Sequence, residues 1–355
     1  MVGFFAAGPP DFPDDPKYWL KDREGNPVPR GGPPTRYVNF LDPEIQEIII
    51  RQAVGIASCG IYDGFMTDGF GGGPGRIVSV DNRWERLGVS EAEMEAAIIH
   101  IFSEIRARVQ DDFIIIVNSG GGPKLESISE LINGCFMESA REPWREYNHS
   151  DLITIGDTLL WNEQNLRHPQ INALEGFGIP EEPPEGPNNQ KWMRVFTTLS
   201  LTHSDGYVLY NRGGFYIGES DHDHIWYDFW DAPLGQPVGA KAQLYGDQEG
   251  LFIREFTNGW AVYNRSGQEQ QIQLPESTIG VSSGIKADLH TLPDLDGEIY
   301  LKSTSNVADL NSDGVVNIQD LVIVASAFGK AEPDLNDDGI VNIQDLVIVA
   351  NAFGD

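Results

Sequence analysis

Several apolar runs in this sequence end on a side chain that carries oxygen. Asp68 closes "YDGFMTD", and Asn118, Glu138, Glu175 and Asn211 close or nearly close four others. Three carboxylates in equivalent positions are more than a solvated surface supplies, because an ionised carboxylate is costly to bury without a partner or a chemical role. Cleavage of a glycosidic bond gives carboxyl groups such a role. One carboxylic acid protonates the leaving oxygen, and one carboxylate attacks the sugar or activates water. The pattern therefore predicts Asp68 as nucleophile or base, Glu138 as acid and Glu175 as reserve acid, with Asn118 and Asn211 binding substrate beside them. The plainer alternative is that one or more of these carboxylates pairs with an arginine such as Arg141 or Arg194.

The elements that must hold these residues alternate between residues 37 and 211. Apolar runs at Tyr37–Phe40, Tyr62–Asp68, Phe113–Ser119, Gly134–Ser139, Ile171–Gly176 and Gly206–Asn211 are separated by helical patterns. In "DPEIQEIIIRQAVGIASCG", Asp42 caps, Pro43 suits the first helical position, and Ile45, Ile48, Ile49, Ala53 and Ile56 make one face. In "SEAEMEAAIIHIFSEIRARV", Ser90 and Glu93 form a capping box, and Met94, Ala97, Ile98, Ile101, Phe102 and Ile105 face inward. Near-continuous apolar strands followed by amphipathic helices predict an α/β fold with a parallel sheet. The expectation is a TIM-type (β/α) barrel over residues 1–230, with its chemistry at the C-terminal ends of the strands. Six strands, or seven with "GFFAA" at Gly3–Ala7, fall short of the eight a closed barrel needs, so a barrel incomplete at its N-terminus is expected. An open doubly wound sheet is the alternative.

Aromatic side chains in loop-like stretches suit a glycan, whose rings stack on them by apolar contact. Trp19, Trp144, Tyr147 and Trp226 are the candidates, while Trp192 lies in a helical pattern and reads as core. In "ESDHDHIWYDFW", His222 and His224 read as loop residues at the barrel mouth that bind substrate hydroxyls. The sharper alternative makes Asp221–His224 a metal site serving a metal-dependent hydrolase, although the helical His-x-x-x-His spacing is absent. Glycine runs at Gly71–Gly73 and Gly120–Gly122 match no phosphate-loop pattern.

A net charge of -30, from 54 acidic and 24 basic residues, disfavours nucleic acid and anionic membrane surfaces as partners. No apolar run approaches the roughly 18 residues of a membrane helix, so membrane insertion is not expected. An export signal is not visible in the sequence. The two cysteines, Cys59 and Cys135, read as small buried hydrophobes, not as a disulfide framework.

Past Trp230 the texture alternates, with Asn-Gly and Ser-Gly as turn signals, and predicts a small antiparallel, β-sandwich-like domain over residues 231–302. Residues 303–308 read as a linker. From Asp309 the sequence repeats at an offset of 25 residues, "DLNSDGVVNIQDLVIVASAFG" and then "DLNDDGIVNIQDLVIVANAFG". Each copy sets out oxygen ligands at the spacing of a calcium loop: Asp309, Asn311, Asp313, Asn317 and Asp320 with the carbonyl of Val315, then Asp334, Asn336, Asp338, Asn342 and Asp345 with that of Ile340. Two Ca2+ ions and an EF-hand-like, all-α module over residues 309–355 are expected, with no cofactor required for catalysis. This segment resembles a type I dockerin, which implies a cohesin domain on an extracellular scaffold as partner. In that family loop positions 10 and 11 help choose the cohesin, and here they are Ile318 and Gln319, repeated as Ile343 and Gln344.

The larger part of the chain is similar to the polygalactosaminidase-like group of barrel glycoside hydrolases. The likeness is carried by "YVNFLDPEIQEIIIRQA", "CGIYDGFMTDGF", "INGCFMES", "INALEGFG", "LTHSDGYVLYN" and "LGQPVG". It implies that Asp68 takes the place of a catalytic aspartate and Asp63 that of a structural one opening the strand, with Glu138 carried over as the acid. The expectation is an extracellular or cell-surface modular glycoside hydrolase acting on a polysaccharide. The rival is a glycan-binding barrel without catalysis on the same tether.

Overall fold

The computed structural model describes residues 6–7, 15–22, 24–28, 36–67, 90–120, 124–139, 146–211, 224–303, 308–311, 315–336 and 338–353. The chain first makes a two-residue antiparallel ladder, β1 (Ala6–Ala7) with β2 (Arg36–Tyr37), pairing Ala6 with Tyr37. Barrel strands are predicted at Tyr37–Phe40 and Gly3–Ala7, and this antiparallel pairing corrects both. The run ends early because Val38 bridges to Trp19 and the Phe40 N–H turns back to the Val38 carbonyl at 2.8 Å.

Helix α1 (Pro43–Ser58) follows, its first turn closed by the Asp42 carboxylate accepting from Glu44 N–H at 2.8 Å. It buries Ile45, Ile49, Ile50, Ala53 and Ala57, while Ile48 and Ile56 sit at the rim of that stripe. Cys59, at its C-cap, is exposed, whereas Cys135 is buried and its thiol is pushed up to about 12 by that burial. Next come β3 (Gly64–Thr67) and α2 (Glu91–Arg108), capped by Ser90 and Glu93 in both directions. All six predicted α2 residues, from Met94 to Ile105, are buried. Strands β4 (Ile114–Asn118) and β5 (Gly134–Ser139) are joined without a long helix; α3 (His149–Asn165), β6 (Ala173–Phe177), α4 (Pro187–His203) and β7 (Tyr207–Asn211) complete the set.

Strands β3 to β7 form one parallel sheet in sequence order. No reversal of order occurs among the described residues, so they contain no switch point of a doubly wound sheet. Five strands in this order make a singly wound parallel sheet; eight parallel strands are not present among the described residues.

The small antiparallel β domain expected over residues 231–302 is present, and its strands make one sheet in place of a sandwich-like arrangement. Its strands are β8 (Leu251–Phe256), β9 (Gly259–Asn264), β10 (Gln270–Gly280), β11 (Lys286–Leu292) and β12 (Asp296–Lys302), in the order β11-β10-β12-β9-β8. The second layer is α4, which lies between this sheet and the parallel one. Gly297 of β12 comes so close that a Cβ there would meet Thr198 Oγ1 at 1.9 Å. Arg194 of α4 clasps Asp296 through Nε at 3.0 Å and Nη2 at 2.8 Å, so this arginine pairs with the β domain and not with a strand-end carboxylate. A second tie runs through Glu163 of α3, which accepts from Asn172, Ser204 and Lys241.

The duplicated C-terminal module folds about its own core of Val316, Val324, Val341 and Val349. Helices α5 (Ile318–Ser326) and α6 (Ile343–Asn351) carry the same capping box, Asn317 with Asp320 and Asn342 with Asp345.

His203, at the C-terminal end of α4, packs edge-on against Phe252 with ring centroids 4.5 Å apart. Burial, aided by the nearby Arg265, pushes its pKa down to about 4. The unfolded chain takes up this proton near pH 6.5 and the folded one does not, so the stabilisation is complete above pH 6.5 and is lost as pH falls toward 4. Between pH 7 and pH 5 this one group costs about 2 kcal/mol of stability. Urea titrations at those two pH values are expected to show that much less pH dependence in His203→Phe than in the parent; equal dependence in both rejects the assignment.

Candidate active site at the strand ends

Glu138 and Glu175 are register partners on β5 and β6, adjacent parallel strands whose backbones run about 4.8 Å apart. Their neighbours in sequence point toward the helices. Met137 Sδ lies 3.6 Å from Asn162 of α3, and a side chain on Gly176 would strike Phe196 of α4. Strand alternation therefore turns Glu138 and Glu175 to the opposite face, away from the helices. Asn118 of β4 is paired with Phe136, and Asn211 of β7 with Phe177, which puts both asparagines on that same face. Four residues predicted as strand ends thus converge at the C-terminal end of the parallel sheet.

Glu175 is fully buried. Its Oε1 faces His224 Nε2 at 2.6 Å and accepts from Asn211 Nδ2 at 3.5 Å. His224 reaches this position because its backbone forms a β-bridge with Asn211, so one asparagine holds both partners. Its nitrogen is therefore committed to a carboxylate, a contact that residue order alone does not reveal. Glu138 is partly exposed, which makes it the more accessible of the two carboxyls. Asn118 Oδ1 accepts from Gly120 N–H at 3.1 Å and shapes the turn after β4.

Two predicted aromatic platforms serve the interior. Trp19 is 1% exposed in the main core with the Arg36 guanidinium 5.4 Å from its ring, so it offers no face to a sugar. Tyr147 is buried against Trp192 and Phe196; its hydroxyl donates to the Ser139 carbonyl at 2.6 Å and accepts from Phe177 N–H at 2.8 Å. It joins the ends of β5 and β6 just past the two glutamates. Trp226, by contrast, is 69% exposed, stands edge-on to Trp230 and donates to Asp231. Asp68, Trp144 and His222 lie outside the described residues, as do Arg141, Asp221 and Asp223.

In the C-terminal module, Asp338 and Gly339 N–H groups converge on the Asp334 carboxylate, and Asp338 N–H also donates to Asn336 Oδ1. Gly339 makes the sharp turn at φ +92°. Asn342 Nδ2 donates to the Ile340 carbonyl at 3.1 Å. Asp320 and Asp345 are clamps: Asp345 accepts from Leu335 N–H and Asn342 N–H, both at 2.7 Å, and Asp320 holds Leu310, Asn311 and Asn317 in the same way. These backbone donors, Asn317 and Asn342 foremost, hold both carboxyls below the usual carboxylate range. Asp309, Asn311 and Val315 of the first loop are described and Asp313 is not. Among the described residues no group of three or more His, Cys, Asp and Glu side chains is gathered as for a metal ion; the donor set of the second loop is mixed Asp, Asn and carbonyl oxygen. That chemistry fits a hard cation.

No known protein family matches the chain, and no curated protein is similar to it. Solved structures overlap it loosely. Eubacterium rectale Amy13B is 11% identical over 77% of this chain and 66% of its own, with a TM-score of 0.42. An alpha-amylase from Geobacillus thermoleovorans is 13% identical over 75% of this chain and 65% of its own, TM-score 0.38. The glycoside hydrolase domain of PelA from Pseudomonas aeruginosa is 12% identical over 62% of this chain and 81% of its own, TM-score 0.39. The chain spans just under two thirds of the length of the first two. All three scores lie below 0.5, so the strand order and not the likeness defines the architecture.

Tyr147→Phe removes one donor and leaves the Phe177 N–H facing an apolar ring. A loss of about 1–3 kcal/mol is expected in urea unfolding. No change in stability would show that the hydroxyl does not join the two strands.

Proposed function

We propose that the chain is a glycoside hydrolase whose acid is Glu138. The observation that carries this reading is the in-register pair Glu138 and Glu175 on the face turned away from α3 and α4, at the end of the sheet where strand-borne catalytic groups collect. Glycoside cleavage needs one carboxyl that gives a proton to the leaving oxygen and a second that serves as a carboxylate. Glu138 is the accessible one and acts as donor. Glu175, held by His224 and Asn211, is the partner carboxylate. Asp68, one residue beyond β3, is the nucleophile or base assigned from sequence. Cleavage proceeds through an oxocarbenium-like transition state, and the exposed Trp226 offers a stacking surface nearby in sequence to His224.

The substrate on this reading is a polysaccharide, and the barrel is of the TIM type. The C-terminal module tethers the enzyme outside the cell by docking a cohesin domain. Support for the tether comes from the paired exposed residues Ile318 and Ile343, Val322 and Val347, which repeat one apolar pattern on both helices. Calcium supplies the charge that the loop oxygens gather around, held in the second loop by Asp334, Asn336, Asp338, Asn342 and the Ile340 carbonyl, and in the first by their counterparts with Asp313. Asp320 and Asp345 close the loops onto their helices.

Asp68→Asn, Glu138→Gln and Glu175→Gln, assayed with the parent on a panel of polysaccharides, are expected to lower turnover by about 10²–10⁴-fold for the acid and by a comparable factor for the nucleophile. Unchanged turnover in all three rejects the reading, and binding without turnover in the parent identifies the non-catalytic rival. For the tether, EGTA is expected to abolish the helical circular dichroism of residues 309–355 prepared as a peptide; a spectrum that EGTA leaves unchanged excludes calcium as its folding partner.

A further inference from the structure

The antiparallel sheet contains a cleft of its own, far in sequence from the strand-end glutamates. Strand β10 pairs with β11 along both of its halves, Gln270 with Leu292 through Gln273 with Leu289, then Thr278 with Ala287. The register shifts between Gln273 and Thr278. On its other side β10 meets β12 only from Gly280 with Tyr300 to Thr278 with Lys302. A bulge of this kind bends the strand and parts the ladder. The start of β12 is left without a strand partner on the β10 side, and a cavity of about 300 Å³ opens between it and residues 289–293.

The walls of this cavity carry a definite chemistry. Asp296 and Glu298, respectively 8% and 6% exposed, point into the cleft from one face of β12 with Tyr300 beyond them. Glu298 is fixed by accepting from the N–H groups of Ser282, Ser283 and Ile299. Arg194 is fixed by Asp296. Leu289, Pro293 and Tyr300 are apolar residues of the lining, and Leu289 is half exposed. Pre-positioned acceptors and a guanidinium beside apolar surface suit a small ring with hydroxyls on its edge and C–H groups on its face. Two carboxylates against one guanidinium disfavour an anion there, and burial already raises the Glu298 carboxyl above its ordinary value. The unpaired stretch of β12, Asp296 to Glu298, is too short to hold an added peptide strand of ordinary length.

We propose that this cleft is a binding site for a neutral sugar unit of a polysaccharide, separate from the strand-end carboxylates. It binds without chemistry, and its occupancy does not depend on whether Glu138 and Glu175 hydrolyse anything.

The test uses the full chain carrying Glu175→Gln, titrated by calorimetry and saturation-transfer NMR. The probes are neutral trisaccharides of glucose, galactose and N-acetylgalactosamine, with trigalacturonate as the charged comparison and a tetrapeptide of alternating Thr and Val as the strand comparison. At least one neutral trisaccharide is expected to bind, and Thr291→Trp, which fills the cleft from an exposed strand position, is expected to weaken it at least tenfold with the circular dichroism unchanged. Leu289→Trp, at a half-exposed lining position, serves as a second block should Thr291→Trp fail to fold. Trigalacturonate is expected to bind at least tenfold more weakly. Absence of binding by every neutral probe, binding that neither tryptophan alters, or preference for trigalacturonate or the peptide overturns the proposal. Turnover is read separately on the parent and on Thr291→Trp with a soluble chromogenic glycoside. Its loss in Glu138→Gln alone concerns the strand-end site and leaves the cleft result to stand or fall by binding.

Discussion

Helix α4 has to fit two surfaces at once. One side lies on the parallel sheet, where Phe196 takes the space that a side chain on Gly176 would need. The other lies on the antiparallel sheet, where Thr198 takes the space above Gly297. Neither glycine could carry a Cβ without displacing the helix, and close-packed interiors do not yield by ångströms. The apolar stripe expected of a surface helix is therefore absent: Trp192, Met193, Val195, Phe196 and Leu199 are all buried, and so are the hydroxyls of Thr197, Thr198, Ser200 and Thr202. The three threonine hydroxyls stay inside because they donate back to carbonyls one turn earlier, as Thr202 does to Thr198 at 2.6 Å.

The position of the strand ends follows from that packing. With α3 and α4 occupying one face of the sheet, alternate residues of β5 and β6 must turn to the other. Met137 and Gly176 go to the helices, and Glu138 and Glu175 to the opposite face. The Arg194–Asp296 pair has the same origin. It is a tie between layers, 17% and 12% exposed at the side chains, and it takes out of play the arginine that could otherwise have neutralised a strand-end carboxylate.

What the sequence discloses depends on how local the cause is. Caps are decided within four residues: Ser90 with Glu93 forms the box that its spacing predicts, and Asn317 with Asp320 and Asn342 with Asp345, expected only as loop ligands, close the same box. The apolar runs from Gly64 to Asn211 become the parallel strands, because period and length suffice to define them. The run at Tyr37–Phe40 does not, since its fate is set by Trp19 and Ala6, residues distant in the chain. Trp19 and Tyr147 are indistinguishable from loop aromatics by type; only the fold shows that one lines the core and the other joins two strands. The pairing of His224 with Glu175 likewise joins residues that no periodicity relates. The cleft in the antiparallel sheet has no signature either, because a register shift is a property of two strands and not of one.

The duplicated module shows the same division between local and distant causes within one short sequence. Its two copies differ at few positions, and the local outcome is the same twice: the same Asn cap, the same buried Asp, the same nine-residue helix. Asp320 and Asp345 reach back across their loops to the backbone of Leu310 and Leu335, ten residues earlier. A carboxylate that fastens the start of a loop to the first turn of the helix after it shortens the excursion the loop can make. The residues between them are then left with less conformational entropy to lose on ordering. The fastening uses backbone N–H groups, which every residue but proline supplies. The loop can therefore vary, as Val315 and Ile340 do, while the carboxylate of Asp320 or Asp345 that accepts from it cannot.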